Sequence, residues 1–62
     1  MTPNRVAECR KLRGYSQTQV SVAVGVARET ISNIERGSGT NVYIAIRIAK
    51  YLDTRVEKLF PL

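Results

Sequence analysis

The sequence predicts an all-α domain of five short helices, and three observations support this fold class. Its apolar residues recur every three or four positions, which is the spacing of a helix face and not the alternation of a strand. Residue types that begin and end helices separate these runs. The sequence contains neither an Asn-Gly nor an Asp-Gly pair, either of which would indicate a β-hairpin. The many valines and isoleucines are the competing signal, because β-branched residues favour strands, but spacing and caps agree on helices.

The first helix is expected to begin at Thr2-Pro3, with the Thr2 hydroxyl as N-cap and the proline at the first helical position. Gly14 ends it. Its apolar face is predicted to consist of Val6, Cys9 and Leu12. We interpret Cys9 as a small core residue, since nothing near it in the sequence would activate a thiol.

The second helix opens with an S-x-x-Q capping box formed by Ser16 and Gln19. Val20 and Val24 lie one turn apart on its inner face. Gly25 ends the helix, because glycine tolerates the left-handed backbone that a tight turn needs. The third helix follows over residues 28–36, with its apolar pair pointing inward. That pair is Ile31 and Ile34.

The fourth helix, from about Asn41 to Leu52, is apolar nearly all round. The face expected to fill the core consists of Val42, Ala45, Ala49 and Leu52. The remaining apolar residues of this helix and of the tail are predicted to form a surface that binds a second copy of the chain: Ile44, Ile48, Tyr51, Phe60 and Leu62. The alternative is that helix four is central and is covered by helices one and five. Thr54 and Glu57 predict a second capping box, which opens helix five.

The composition excludes several classes of function. A 62-residue chain is one domain and buries only about 60% of the surface that its unfolded form exposes. One cysteine and no histidine rule out an internal disulfide, a zinc site and a histidine-based catalytic triad, so we expect no enzyme, no metal and no cofactor. No apolar run approaches the roughly 20 residues of a membrane span, and no signal peptide is visible. The lone thiol fits a reducing cytoplasm.

The formal charge of +5 favours polyanionic partners, although it also fits a surface that is merely soluble. Helices two and three form a two-helix unit over residues 17–36, whose second helix turns a polar face outward. Arginine, asparagine, glutamate and threonine side chains can read base edges in the DNA major groove. An ordinary solvated helix face has the same composition. The outward residues are Arg28, Glu29, Thr30, Ser32, Asn33 and Arg36.

A longer pattern resembles the helix-turn-helix of the phage-repressor and Cro-like (XRE) family. It reads Gln17-x-x-Val20, then Gly25-Val26-x-x-x-x-Ile31-Ser32-x-Ile34-Glu35-Arg36-Gly37. The surroundings match as well, and they include Arg10, Gly14, Ile48-Ala49-x-x-Leu52 and Leu59-Phe60. The resemblance covers nearly the whole chain. It implies a single lambda-repressor-like DNA-binding domain over residues 1–62, which binds an operator in double-stranded DNA, commonly as a dimer.

The resemblance also implies roles for individual residues. The positions that match base-contacting residues are Arg28, Glu29, Thr30 and Asn33. Those that match phosphate-contacting residues are Gln17, Arg36, Ser38, Thr40 and Asn41, and Gln17 also buttresses the recognition helix. Arg10 and Glu35 match an ion pair that ties helix one to the end of helix three.

Three positions depart from the family pattern. Ala27 stands where a serine or threonine usually caps the recognition helix, and the loss of such a cap typically costs about 1 kcal/mol. Ser21 replaces a common alanine, and we expect its hydroxyl to bond back to the preceding turn. Thr40 stands where a proline often opens helix four.

These observations together predict a cytoplasmic, homodimeric, sequence-specific DNA-binding regulator that acts as a repressor. An antitoxin-like module that neutralises a partner protein and binds DNA secondarily is the alternative. RNA binding is disfavoured, because single-strand recognition uses exposed aromatic platforms and the few aromatic residues here are scattered.

Overall fold

Five α-helices follow one another along residues 3–61, the part of the chain that the computed structural model describes. Their bounds are α1 Val6–Leu12, α2 Gln17–Val24, α3 Arg28–Glu35, α4 Val42–Tyr51 and α5 Val56–Leu59. No strand occurs within these residues. The prediction of an all-α domain of five helices is therefore confirmed. The molecule measures 27 × 21 × 21 Å.

Every helix contributes to one apolar core. Its side chains range from fully buried to 3% exposed, and burying each larger one contributes about 1.5–3 kcal/mol relative to leaving it in water. The core consists of Val6, Val20, Val24, Ile31, Ile34, Ile48, Ala49, Leu52 and Leu59. The inward positions predicted for helices two and three are thus confirmed.

The start of α1 is fixed by Asn4, a buried polar residue. Its side-chain oxygen accepts a hydrogen bond from the backbone N–H of Val6 at 3.1 Å, and its amide nitrogen donates to the carbonyl of Ile34 at 2.7 Å. The Thr2 N-cap that we predicted lies outside the described residues. The inward position predicted for Leu12 is wrong, since this side chain is 79% exposed. At 3.6 residues per turn, Leu12 projects about 120° away from Val6.

The local signals predicted for α2 are present. Ser16 Oγ accepts from the backbone N–H of Gln19, and Gln19 Oε1 accepts from the backbone N–H of Ser16, so the capping box is complete. Gly25 ends the helix with φ at 85°, in the left-handed region. The Ser21 hydroxyl donates to the carbonyl of Thr18 at 2.8 Å, as expected. These bonds fix the length and direction of α2.

The buried stripe of α4 differs from the predicted one. It follows the i, i+3, i+4, i+7 spacing of a single helix face and consists of Ala45, Ile48, Ala49 and Leu52. Val42 lies at the edge of this stripe on the first turn and is 72% exposed, so its predicted core position is wrong. Ile48 is completely buried, and its assignment to a surface for a second copy is therefore also wrong.

The other residues predicted to form that surface are not freely exposed. Ile44, Tyr51 and Phe60 are half-buried and pack against the core. The Tyr51 ring stacks on Tyr15 with a centroid separation of 4.7 Å. Leu62 lies outside the described residues. Of the two alternatives for α4, the central position fits these burials better.

The capping box predicted for α5 is wrong. The helix starts at Val56, so Arg55 occupies the N-cap, and its side chain makes no capping hydrogen bond. Thr54 is one residue too early to cap it. Among residues 3–61, no helix is long and apolar enough to cross a membrane.

Candidate nucleic-acid interface

The polar face of α3 is presented to solvent because the opposite face is anchored in the core. Ile31 and Ile34 are 0% and 1% exposed and fix the rotation of the helix about its axis. Arg28 and Glu29 in the first turn are exposed, and Asn33 one turn later is half-buried. The structure thus places Arg28, Glu29 and Asn33, three of the residues predicted to contact bases, on the side of α3 that faces away from the core.

The first turn of α3 has no side-chain cap. Ala27 occupies the N-cap with extended backbone, at φ −71° and ψ 150°, and its methyl group cannot accept a hydrogen bond. A serine or threonine in this backbone conformation would bond to one of the free N–H groups of the first turn. The departure noted in the sequence therefore leaves the start of α3 without this bond.

A chain of hydrogen bonds links α1 to the start of α3 through Glu35. Arg10 Nε donates to Glu35 Oε2 at 2.7 Å, and Arg10 Nη2 donates to Glu35 Oε1 at 3.3 Å. The two side chains are only 11% and 8% exposed. The ion pair that the resemblance implied is present. Arg10 Nη1 also donates to the carbonyl of Tyr15 at 2.8 Å, which holds the guanidinium against the loop before α2.

Gln17 extends this chain to the recognition helix. Its Nε2 donates to Glu35 Oε1 at 2.9 Å, and its Oε1 accepts from Arg28 Nη1 at 3.1 Å. The side chain is thus engaged at both ends, which is the geometry of a buttress. A phosphate contact by Gln17 stays a prediction, and its backbone N–H is available for it, because the first N–H groups of a helix have no intrahelical acceptor.

Five of the residues predicted to contact DNA surround one depression of about 300 Å³ between α3 and the loop before α4. They are Thr30, Asn33, Ser38, Thr40 and Asn41. Arg36 at the end of α3 is exposed, and its Nη2 donates to the side-chain oxygen of Asn33. Two of the predicted base-contacting residues and three of the predicted phosphate-contacting residues therefore meet in this depression.

Two residues of this loop have structural tasks. Asn41 is the N-cap of α4, and its side-chain oxygen accepts from the backbone N–H of Ile44 at 2.8 Å. The capping bond leaves the side-chain amide nitrogen to donate to a phosphate, but it fixes the position from which this nitrogen can do so. The hydroxyl oxygen of Thr40 is buried and has no hydrogen-bond partner within residues 3–61. A phosphate contact by Thr40 stays a prediction, and it would use the backbone of this residue, because the hydroxyl oxygen does not reach the surface.

Charge is spread over the molecule and is not concentrated on α3. Residues 1–36 carry six basic and three acidic side chains, and residues 37–62 carry four and two. On α3 and its C-cap, Arg28 and Arg36 stand beside Glu29 and Glu35, and Glu35 is already paired with Arg10. The face can therefore offer both donors and an acceptor to base edges.

Asn4 is a positioning residue that we did not predict. Its amide donates to the carbonyl of Ile34, which also accepts from the backbone N–H of Gly37 at 3.0 Å, and this bond holds the end of α3 against the start of α1. The signal was available in the sequence, since asparagine is a capping residue type and stands two positions before an apolar run. The stronger Thr2-Pro3 pattern concealed it.

Comparisons with known proteins agree with this geometry. A family model described as helix-turn-helix matches residues 6–59. The chain is 36% identical over 58 residues to the uncharacterized HTH-type transcriptional regulator YgzD of Bacillus subtilis (strain 168). The aligned segment covers 92% of this chain and 88% of YgzD. It is 37% identical over 57 residues to an uncharacterized HTH-type transcriptional regulator of Archaeoglobus fulgidus, covering 90% and 81%. It is 34% identical over 61 residues to the HTH-type transcriptional regulator SinR of Bacillus subtilis, covering 95% of this chain and 55% of SinR.

Proposed function

The chain belongs to the helix-turn-helix family of DNA-binding transcriptional regulators, which are not enzymes, and from this premise we propose that it binds a specific operator and represses transcription as a homodimer. In this proposal α3 lies in the major groove. The loop between α3 and α4 and the N-terminus of α2 approach the phosphates on either side. The proposal includes the cytoplasmic location expected from the sequence.

The observation that carries this proposal is the support given to Arg28. Its guanidinium is exposed at the start of α3 and is oriented by Gln17, which is in turn held by the buried Glu35 carboxylate. An arginine presented in a fixed direction can donate two hydrogen bonds to one guanine, which is the commonest specific contact in the major groove. An arginine that only contacts water does not require such a series of hydrogen bonds to orient it.

Arg28 and Arg36 are assigned different tasks. A base contact discriminates between sequences, whereas a phosphate contact strengthens binding to all of them. Replacing Arg28 by alanine is therefore expected to cost about 1–3 kcal/mol at the operator and to relax the preference at one base pair. Replacing Arg36 is expected to weaken operator and random DNA alike and to reduce the salt slope by about one unit.

The experiment begins with selection of bound sequences from a random DNA pool by the purified chain. A palindromic consensus is expected, since a two-fold symmetric dimer reads two equal half-sites. Fluorescence anisotropy with the selected site and with a scrambled site then compares Arg28→Ala, Arg36→Ala and a control, Arg55→Ala. Arg55 is exposed, lies between α4 and α5, and is not among the residues predicted to contact DNA.

Two results would contradict the proposal. If no sequence is enriched from the pool, the chain does not read an operator, and the protein-binding alternative gains support. If Arg28→Ala binds the selected and the scrambled sites with the affinities of the unchanged protein, then Arg28 does not read a base.

A further inference from the structure

The outer face of α4 is apolar and uncovered. Val42, Tyr43 and Ile46 are 72%, 77% and 40% exposed. Tyr43 and Ile46 lie on the side of the helix away from its buried stripe, and Val42 lies at the edge of that stripe. Together with Arg47 and Lys50 they line a shallow depression of about 380 Å³. We refer to these five residues as the outer α4 face. Exposed apolar patches of this kind on small proteins commonly mark interaction sites.

The charges on the outer α4 face have one sign. Arg47 and Lys50 are its only charged residues, and both are basic. They are three positions apart on the helix, so their side chains are neighbours on one surface. Arg47 Nη1 also donates to the carbonyl of Val24 at 3.2 Å, which anchors its guanidinium at the C-terminus of α2. The face therefore offers an apolar depression with two cations at its edge, of which Arg47 is held by a hydrogen bond and Lys50 is exposed.

We propose that the outer α4 face binds an acidic amphipathic segment of another protein. An apolar side chain of that segment enters the depression beside Tyr43 and Ile46, and its carboxylates meet Arg47 and Lys50. A partner helix with acidic residues at i and i+3 or i+4 matches the spacing of these two cations. The proposal does not depend on whether α3 reads an operator.

A second copy of this chain fits the outer α4 face poorly. In a symmetric contact the same patch meets itself, so Arg47 and Lys50 would face like charges from the other copy. Duplex DNA would satisfy the cations but would leave the apolar depression unfilled. A lipid surface is flat, whereas this face is concave, and the ten residues of α4 expose three apolar side chains there.

The test is selection of a phage-displayed library of random 14-residue peptides on the immobilised 62-residue chain. The enriched peptide is then synthesised with a fluorophore, and its affinity is measured by anisotropy. The face variant is Tyr43→Ser/Lys50→Gln. The matched control is Lys11→Gln/Leu12→Ser on α1, which loses the same charge and a side chain of similar exposure, 79% for Leu12 against 77% for Tyr43.

We expect enriched peptides that combine Asp or Glu with apolar residues at helical spacing. We expect the face variant to weaken their binding at least tenfold, and the control variant to weaken it less than twofold. Far-UV circular dichroism and DNA affinity should be unchanged in both variants. The unchanged DNA affinity would show that a failure at this face is separate from the function of α3.

Several outcomes would overturn the proposal. These are no enrichment, enrichment of basic or uncharged peptides, or equal loss of binding in the two variants. A loss of DNA affinity in the face variant alone would assign the face to DNA. Binding to vesicles of anionic phosphatidylglycerol that is lost only in the face variant, without peptide enrichment, would assign it to a membrane. A change of the protein's own association state in the face variant would assign it to a second copy.

Discussion

The Arg10–Glu35 pair acts mainly by orienting its neighbours. Taking two charges out of water is costly, so a buried ion pair contributes little net stability compared with well-packed apolar residues. The pair fixes the orientation of the side chains around it. Glu35 accepts hydrogen bonds from Arg10 and from Gln17 at once, and Gln17 in turn accepts one from Arg28. Four side chains from three helices thus form one connected network of hydrogen bonds. Removing Glu35 leaves the largely buried Arg10 and the half-buried Gln17 incompletely bonded.

The first prediction is that Glu35→Gln strongly destabilises the fold. Arg10 would keep its charge at 11% exposure without a counter-charge, and breaking a buried pair in this way costs about 3–5 kcal/mol. A domain of 62 residues has a total stability of roughly 3–9 kcal/mol, so the variant should be largely unfolded in low concentrations of urea. Urea titrations followed by far-UV circular dichroism measure the difference.

The control for this prediction is Glu57→Gln. Glu57 is an exposed residue in the first turn of α5, where its charge contributes at most about 1 kcal/mol through the helix dipole. Both variants lose one negative charge. If the two unfold at the same urea concentration, the pair is not what holds α1 and α3 together.

At the scale of the element, α3 is a helix whose position is well fixed but whose first turn is weak. Two isoleucines anchor it in the core, and Asn4 bonds to a carbonyl near its C-terminus. Its N-terminus has an alanine where a hydrogen-bonding cap fits, although the backbone there already has the extended conformation that a cap requires. The missing cap is a local defect that can be repaired without moving the chain.

The second prediction is that Ala27→Ser stabilises the protein by about 0.5–2 kcal/mol, because the hydroxyl accepts from an N–H group of the first turn of α3. The matched control is Ala23→Ser, at an exposed position inside α2, where serine lowers helix propensity and should cost about 0.5 kcal/mol. Urea midpoints that move in opposite directions for the two substitutions would support the prediction. A shift of the same sign in both would contradict it.

Helix locations were predictable from the sequence, whereas the rotation of each helix was less so. The Ser16 box and Gly25 act within a few residues, so local pattern specified α2. The apolar residues of α4 lie nearly all round the helix, and which of them are buried depends on where α2 and α5 pack. Ile48 was therefore placed on the wrong side, and Val42 with it. Spacing alone does not decide between two overlapping apolar stripes.

The same limit applies to the candidate site. The residues of α3 follow from the two buried isoleucines, because fixing the inner face of a helix fixes its outer face as well. The loop from Gly37 to Asn41 has no such periodicity. The burial of the Thr40 hydroxyl and the capping by Asn41 depend on how the loop closes over α4, which residue identity does not determine.

At the scale of the whole molecule, the proposed homodimer needs a surface that shares only Phe60 with the one that the sequence predicted. A groove of about 480 Å³ lies between the loop before α4 and α5, and its apolar lining consists of Val42, Ala45, Val56 and Phe60. Glu57 is its only charged lining residue, and the basic Lys58 follows it on α5. In a symmetric contact these opposite charges can pair between copies. The groove is thus a better candidate for the dimer contact than the outer α4 face, with which it shares only Val42.

The last prediction is that Val42→Asp weakens self-association. Its side chain is 72% exposed at the first position of α4, where an acidic residue is favourable for the helix, so the fold should be retained. In the dimer the same carboxylate would be buried in an apolar contact, and we expect the dissociation constant measured by sedimentation equilibrium to rise at least tenfold, which is about 1.4 kcal/mol. The control is Val22→Asp on α2, which has the same chemistry at 75% exposure outside the groove and should leave the constant within twofold. A purely monomeric parent chain at micromolar concentration, or equal weakening by both substitutions, would exclude this groove as the contact between copies.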